Sequence, residues 1–512
     1  MNARMKRAWQ WMAWLVLAAA PWLTGLSHPF LYDDIGLISE NSFLAEPANA
    51  AQVLTGRTLA DPDVVNGRRP VVLATLFLDR GLYGLQPAGW RVTNLAWHLG
   101  NAALVAGLLM RLGAPGGWPL AAGMLFALYP AHVEAVHAPG FRADVLCLFW
   151  MLAALHGFLS VRRWPRAGPV WGMACAALAL LSKETALAFP LLLGLLMVLF
   201  PAAFPPRRLA RGVIWGLCAG LSAGFFVLWV ALPTDLQAMG GSWNGQSLRF
   251  PASIHSLPGI WAHTLGRLIW PWPLNVSPHF APAGGAASWR VAWGLLLLAG
   301  WMGLAFRWRQ SRPWVAMGLG WILVLFLPVS NLIPLFHPVA DRYLYTLAPG
   351  VAIGLAWGLW RLPVVPRWAG LAVLVTLYAA GVLAAKEDWR SGEALWTAAI
   401  VRNPHSATAA SWLGLLREEA GDPDAAREWY ATGTAANPYS FAAWLNWGIL
   451  EGRQGNWAES ERLLRRAIDV RPENPRGWHN LAVCLERQGR VVEAAEAAAR
   501  GEEARSYGRT KP

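Results

Sequence analysis

Two adjacent carboxylates lead the residues able to do chemistry. Asp33 and Asp34 sit in Phe30-Leu31-Tyr32-Asp33-Asp34-Ile35, with Asn41 just beyond, after an apolar stretch of bilayer-spanning length. Such a pair can act as a general base with a helper that orients an acceptor or raises the base's pKa by like-charge repulsion. It can equally be a helix N-cap or a solvated loop pair. His132, Glu134 and His137 follow, then Arg142 and Asp144. A His and a Glu two apart can bind metal, but one such pair lacks the further ligands zinc needs. Hydrogen bonding to a sugar, with Arg142 pairing a phosphate or Asp144, is more economical. Lys183-Glu184, in a very short turn, offers either a cation to a lipid phosphate or a local ion pair. Arg342, between Asp341 and Tyr343-Leu344-Tyr345 and downstream of Ser330-Asn331, suits a phosphate and an aromatic sugar platform, or an interfacial anchor. Arg69-Pro70, Asn94 and His98 complete the set; an Asn–His pair in an apolar helix also serves as interhelical glue.

The elements that must position these groups follow from composition. Of 512 residues, 55% are hydrophobic and 14% charged, with 33 Trp, 50 Gly and 36 Pro. Soluble domains carry roughly 25% charged residues, so an ordinary cytosolic enzyme, a disordered chain and a collagen-like fibre are excluded. The net charge of +13 invites a nucleic-acid reading, but its distribution argues otherwise. Residues 386–512 hold 17 Lys+Arg and 18 Asp+Glu, a net −1, whereas residues 1–385 hold 26 and 12, a net +14. In that first region the cations punctuate apolar stretches instead of clustering on one face. Eleven spans are expected: 9–26, 93–110, 118–136, 143–160, 168–182, 186–203, 212–232, 289–306, 314–331, 344–360 and 367–385. With the N-terminus cytoplasmic, Arg4, Lys6 and Arg7, Arg111, Arg162, Arg163 and Arg166, Arg207, Arg208 and Arg211, Arg307, Arg309 and Arg312, and Arg361 and Arg367 all fall inside. All twelve acids of residues 1–385 then fall outside. The first stretch is expected to be an uncleaved span, and 258–274 to lie along the interface. Cys147, Cys175 and Cys218 fall in spans, so no disulfide framework is implied.

The tail has period 34. Pro404, Pro438 and Pro472 keep it, as do Gly421, Gly455 and Gly489; Trp444 and Trp478 repeat it once. With Leu413-Gly414, Ala426 and Tyr430, this is the pattern of tetratricopeptide (TPR) repeats, each a helix–turn–helix. About three repeats follow a half unit at 389–404, and their tryptophans are expected in the core. The solenoid offers a concave surface to a protein partner, although stacking alone explains every motif residue.

Taken in order, Tyr32-Asp33-Asp34 with Asn41, Arg69-Pro70, Asn94, His98, the run Pro130-Ala131-His132-Val133-Glu134-Ala135-Val136 leading to Arg142-Ala143-Asp144, Lys183-Glu184, Arg342-Tyr343-Leu344-Tyr345 and the trailing repeats resemble the transmembrane-and-TPR O-mannosyltransferases and their bacterial relatives, of the GT-C glycosyltransferase fold. The resemblance covers nearly the whole chain. It implies an all-α architecture: a GT-C-like membrane bundle over 1–385, with a first outer loop at 27–91, and an extracytoplasmic TPR solenoid over 386–512. It implies transfer of a hexose such as mannose from a polyprenyl-phosphate donor to a hydroxyl, protein Ser/Thr, on the outer side of a bacterial inner membrane. Asp33 is then the catalytic base and Asp34 its partner. The donor's phosphate and sugar fall to His132, Glu134, Arg142, Asp144, Lys183, Glu184, Arg342 and Tyr345, with Asn41, Arg69 and His98 in support. Fixed cations take a metal's role, so neither a metal nor another cofactor is expected. Expected partners are the lipid-linked sugar, a protein met through the repeats and membrane lipid, with no nucleic acid. Phe141 departs from the family, which tends to have Gly before Arg-Ala-Asp, and the repeat array is short. Two rivals stay open: a non-catalytic membrane-anchored TPR scaffold for envelope assembly, and a GT-C enzyme acting on lipid A or a polysaccharide.

Overall fold

The computed structural model describes residues 3–59, 61, 64–231, 242–243, 246–247, 252–280, 288–333, 335 and 337–510. Among the expected segments, residue 232 of the seventh span, residues 60, 62 and 63 of the first outer loop, and residues 511–512 of the tail lie outside them. The described chain is helical throughout, apart from a two-residue pairing of Ser242–Trp243 with Gln246–Ser247.

Each of the eleven apolar stretches is helical over most of its described length. Five helices are long and apolar enough to cross a membrane: Pro87–Arg111, Pro139–Leu159, Arg208–Ala231, Trp289–Trp308 and Val364–Asp388. A sixth crossing would combine Trp118–Ala127 with Pro130–His137, which are bent by 50° at their break. Pro130 explains the break: it supplies no N–H to the ladder, so the chain turns there. Gln10–Leu23, Ala167–Leu180, Glu184–Leu199 and Pro313–Val329 are shorter. At 1.5 Å per residue a 14-residue helix reaches only about 21 Å against a hydrocarbon core of roughly 30 Å. The segment at 258–274 is helical to Ile269 and is packed into the bundle. Its Trp261 is fully buried between Trp301 and Phe326.

The first outer loop is a folded unit. Ile38 of the helical turn Ile35–Ser39, with Leu44, Val53, Val72, Leu73 and Leu76 of the helices Ser42–Ala45, Ala50–Leu54 and Pro70–Tyr83, packs against Trp90, Ala143 and Leu146 of the bundle. The stretch carrying Asp33 and Asp34 is therefore held against two membrane helices.

The tail is three helix pairs, Ala407–Glu419 with Pro423–Ala436, Phe441–Arg453 with Trp457–Val470, and Pro475–Arg487 with Val491–Thr510, preceded by Gly392–Arg402. Gly421, Gly455 and Gly489 sit at φ +79°, +81° and +76°, the left-handed turn that glycine makes without strain. Trp444 and Trp478 are half-buried, not core as expected: each donates its indole N–H to the carbonyl of the proline six residues before it, at 2.8 and 2.7 Å. A tryptophan that needs a hydrogen-bond partner for its N–H is readily placed at the rim of a repeat. Position 385 lies inside the helix Val364–Asp388, and one apolar core runs from the membrane helices through Trp389, Trp396 and Leu413.

Candidate active site

Arg91 fixes the approach to the carboxylate pair. From the helix Pro87–Arg111 its guanidinium donates to the carbonyls of Leu26 (3.1 Å), His28 and Pro29 (2.7 Å), and to that of His137 (2.8 Å). One buried cation thus ties the loop after the first helix to the loop before Arg142. His28 and His137 meet beside it at 3.1 Å.

Asp34 is buried, and its Oδ1 accepts the Gly140 N–H at 2.6 Å. A Cβ at Gly140 would stand 2.9 Å from that oxygen, so the bare backbone permits the approach. Oδ2 of Asp34 meets no hydrogen-bond donor among the described residues. Burial pushes the Asp34 carboxyl up to about 7, against the pull of the Gly140 N–H and Arg91.

Asp33 differs. It is half-buried, and its side chain makes no hydrogen bond or ion pair with the described residues. Burial raises its pKa, and the Arg342 guanidinium opposes the rise. A carboxylate with a raised pKa and free oxygens can accept a proton from an incoming hydroxyl. The backbone before it is strained: Tyr32 has φ +55°, which costs a residue with a Cβ of order 1 kcal/mol or more.

The cations are held by acids from other elements. Arg342 pairs with Glu134, Nη1 to Oε1 at 2.5 Å, while its backbone N–H reaches Oε2 at 2.9 Å. Lys183 spans both oxygens of Asp144 at 2.7 and 2.8 Å. Arg69 does the same with Glu184 at 3.0 and 3.1 Å. Arg142 is fully buried; it pairs with Asp79 and donates to Asn94 Oδ1 at 2.5 Å and to the carbonyls of Thr75 and Trp90. The local pairs Arg142–Asp144 and Lys183–Glu184 do not form, because side chains one or two apart leave the backbone in different directions. Arg142 is thus fully enclosed, while Arg342, Lys183 and Arg69 keep some exposure. The phenol of Tyr343 faces both cations, 5.5 Å from Lys183 Nζ and 5.3 Å from the Arg342 guanidinium carbon.

Phe141 acquires a purpose here. Its ring lies 4.3 Å under the Arg342 guanidinium and 5.8 Å from the Tyr32 ring. Cation–π contact of this kind holds a guanidinium in place without consuming its N–H donors.

The other expected residues are engaged in contacts of their own. Tyr345 is fully buried, with its hydroxyl held by His98 Nδ1 at 2.8 Å and Asn101 Nδ2 at 3.0 Å. His132 is enclosed by the rings of His98, Phe126, Tyr129 and Tyr345. These groups knit helices together instead of offering a sugar platform. Asn41 caps the helix Ser42–Ala45, accepting the Leu44 N–H at 3.0 Å. Asp79, Arg91 and His337 escape the reading of the sequence. Asp79 and Arg91 each stand as a charge in an apolar helix, the signal by which they could have been found. Three or more His, Cys, Asp or Glu placed to hold a metal do not occur together among the described residues.

Comparison with known proteins bears on both halves. Residues 379–441 and 445–508 match the tetratricopeptide repeat family. Protein O-mannosyl-transferase Tmtc1 of Drosophila melanogaster is 26% identical over 501 aligned positions, covering 76% of this chain and 57% of its own. Protein O-mannosyl-transferase TMTC4 of Homo sapiens is 24% identical over 467, covering 78% and 63%. Protein O-mannosyl-transferase Tmtc3 of Drosophila melanogaster is 23% identical over 531, covering 86% and 57%. The chain spans 57–63% of the length of these relatives. Apolar helices followed by TPR repeats, with relatives of these names, agree with the transmembrane-plus-TPR resemblance read from the motifs.

Proposed function

We propose that this protein is a membrane glycosyltransferase that moves a hexose, mannose by the names of its relatives, from a polyprenyl-phosphate donor to a protein hydroxyl on the extracytoplasmic side. The observation that carries the reading is Asp33: a half-buried carboxylate with no hydrogen-bond or ion-pair partner among the described residues, facing the field of a buried arginine. A purely structural anchor has no use for such a group in a unit whose other charges, Arg142 with Asp79, Lys183 with Asp144 and Arg342 with Glu134, are paired and buried.

The reaction is a direct displacement. The acceptor oxygen gives its proton to Asp33 as it bonds the anomeric carbon, while the bond from that carbon to the phosphate oxygen breaks. Polyprenyl phosphate leaves carrying the added negative charge. Arg342 and Lys183, with Arg69 behind them, are the cations able to meet that charge, and fixed cations in a dry site stabilise it strongly. Arg142 serves the scaffold and binds no phosphate. Asp34, held by Gly140, orients the loop that carries the base. Because the cations supply the charge, no metal takes part.

The test is transfer to a Ser/Thr peptide by the purified full-length protein. Polyprenyl-phosphate mannose should support transfer, a nucleotide-linked sugar should not, and a chelator should leave the rate unchanged. Absence of transfer from the lipid-linked sugar overturns the function; loss of activity with chelator overturns the metal-free mechanism.

A further inference from the structure

The tail reaches the carboxylate loop. Trp396, on the helix Gly392–Arg402, is almost fully buried, and it is buried against Tyr32: the rings stand edge to face, 5.2 Å apart at 87°. Behind it, Trp412 of the next helix stacks flat on Trp396 at 5.4 Å and 3°. Phe141 and the imidazole of His337, 3.3 Å from the Tyr32 hydroxyl, close the other sides. A left-handed tyrosine persists only where its surroundings over-determine it, and Trp396 is one of three groups that do so.

The helix bearing Trp396 is itself tied to the bundle. Asn275 Nδ2 donates to Ala399 O at 3.2 Å, Asn403 Nδ2 to Ser277 O at 3.0 Å, Ser406 Oγ to Ser277 Oγ at 2.7 Å, and Arg402 to Leu274 O at 2.8 Å. Lys386, buried at the end of the last membrane helix, donates to Thr24 Oγ1 at 2.6 Å and to the carbonyls of Pro21 and Thr24. These bonds bring the start of the tail to the segment that leads into the carboxylate pair.

We infer that the first tail helix completes the active site, and that Trp396 is a positioning residue that holds Asp33 through Tyr32. The tail therefore does more than present a surface to a partner: strain entering the repeats is felt at the base. This rests on the function proposed above for its catalytic consequence, but not for its structural one.

Two readouts on the full chain separate them. Amide exchange at Asp34 and Ile35, whose N–H groups donate to Leu31 O and Tyr32 O at 3.1 and 3.2 Å, reports the loop without any assay of activity. Trp396→Ala should speed that exchange about tenfold while residues 441–490 stay protected, because one of three supports of a strained residue is gone. It should also lower kcat toward a short Ser/Thr peptide about tenfold at unchanged acceptor KM, the cost of a misplaced catalytic group. Trp396→Phe, which keeps an edge for the tyrosine, should restore both. If Trp396→Ala does not fold, Trp412→Ala, which removes the stacking behind Trp396, should move both readouts in the same direction. Unchanged exchange at Asp34 and Ile35 overturns the inference, as does a rise in acceptor KM alone, which is the signature of a tail that only recruits. Faster exchange in a chain that transfers no sugar upholds the link and overturns the proposed function instead.

Discussion

At the scale of residues, the two aspartates divide the work by what surrounds them. Asp34 uses one oxygen on the Gly140 N–H, its other oxygen meets no donor among the described residues, and burial raises its folded pKa from 3.8 to about 7 against the pull of Gly140. A buried carboxyl with a raised pKa favours the protonated fold. Its contribution is fully present below pH 3.8 and is lost as pH rises through about 7. Asp34→Asn keeps the acceptor for Gly140 and removes the titration. The melting temperature of the wild type should therefore fall relative to that of Asp34→Asn between pH 4 and 7, and the gap should stop widening above about 7. Parallel curves across that window would contradict the assignment. The adjacency of Asp33 and Asp34 was legible from residue order, and so was their place after a span. Which of them stays free was not legible, because that depends on Gly140, 106 positions away. The left-handed turn at Tyr32 was equally hidden, since nothing in a tyrosine advertises a positive φ.

At the scale of elements, Arg142 joins three helices: it bonds Asp79 and Thr75 of Pro70–Tyr83, Trp90 and Asn94 of Pro87–Arg111, and starts Arg142–Leu159 itself. Breaking such a buried pair by removing one partner costs about 3–5 kcal/mol, because the remaining charge stays buried. Arg142→Ala should lower the unfolding temperature sharply, and Arg142→Met with Asp79→Leu should recover much of it. A single variant as stable as the wild type would show that Asp79 is solvated. Arg342→Ala likewise leaves the buried Glu134 without its cation, so it should lower the unfolding temperature as well as transfer. The repeats were readable in advance because their period repeats the same glycine and proline three times, each at a turn. The ion pairs were not: Arg342 lies 208 positions from Glu134 and Lys183 lies 39 from Asp144, so spacing along one helix cannot reveal them. Trp444 and Trp478 pack against the repeat core without being enclosed in it, since periodicity alone says nothing about where an indole N–H finds its acceptor.

At the scale of the whole molecule, charge orients the chain and burial joins its halves. The basic clusters between spans predict a cytoplasmic N-terminus and an outer tail. The four native cysteines are buried, so an introduced one reports cleanly. In intact cells stripped of any outer wall, Ala442→Cys should react with a membrane-impermeant maleimide, and Gln310→Cys only after lysis. The reverse pattern would invert the topology. The continuous core from the bundle to Leu413 makes the membrane unit and the first tail helices one body, with the carboxylate loop at their junction. All of this converges on one carboxylate. The decisive measurement compares wild type, Asp33→Asn and Asp34→Asn for mannosyl transfer from polyprenyl-phosphate mannose to a Ser/Thr peptide. A general base contributes on the order of 10²–10⁴-fold, so Asp33→Asn should lose at least about a hundredfold in kcat with the donor still bound. Asp34→Asn should retain much more. Wild-type turnover by Asp33→Asn would contradict the account.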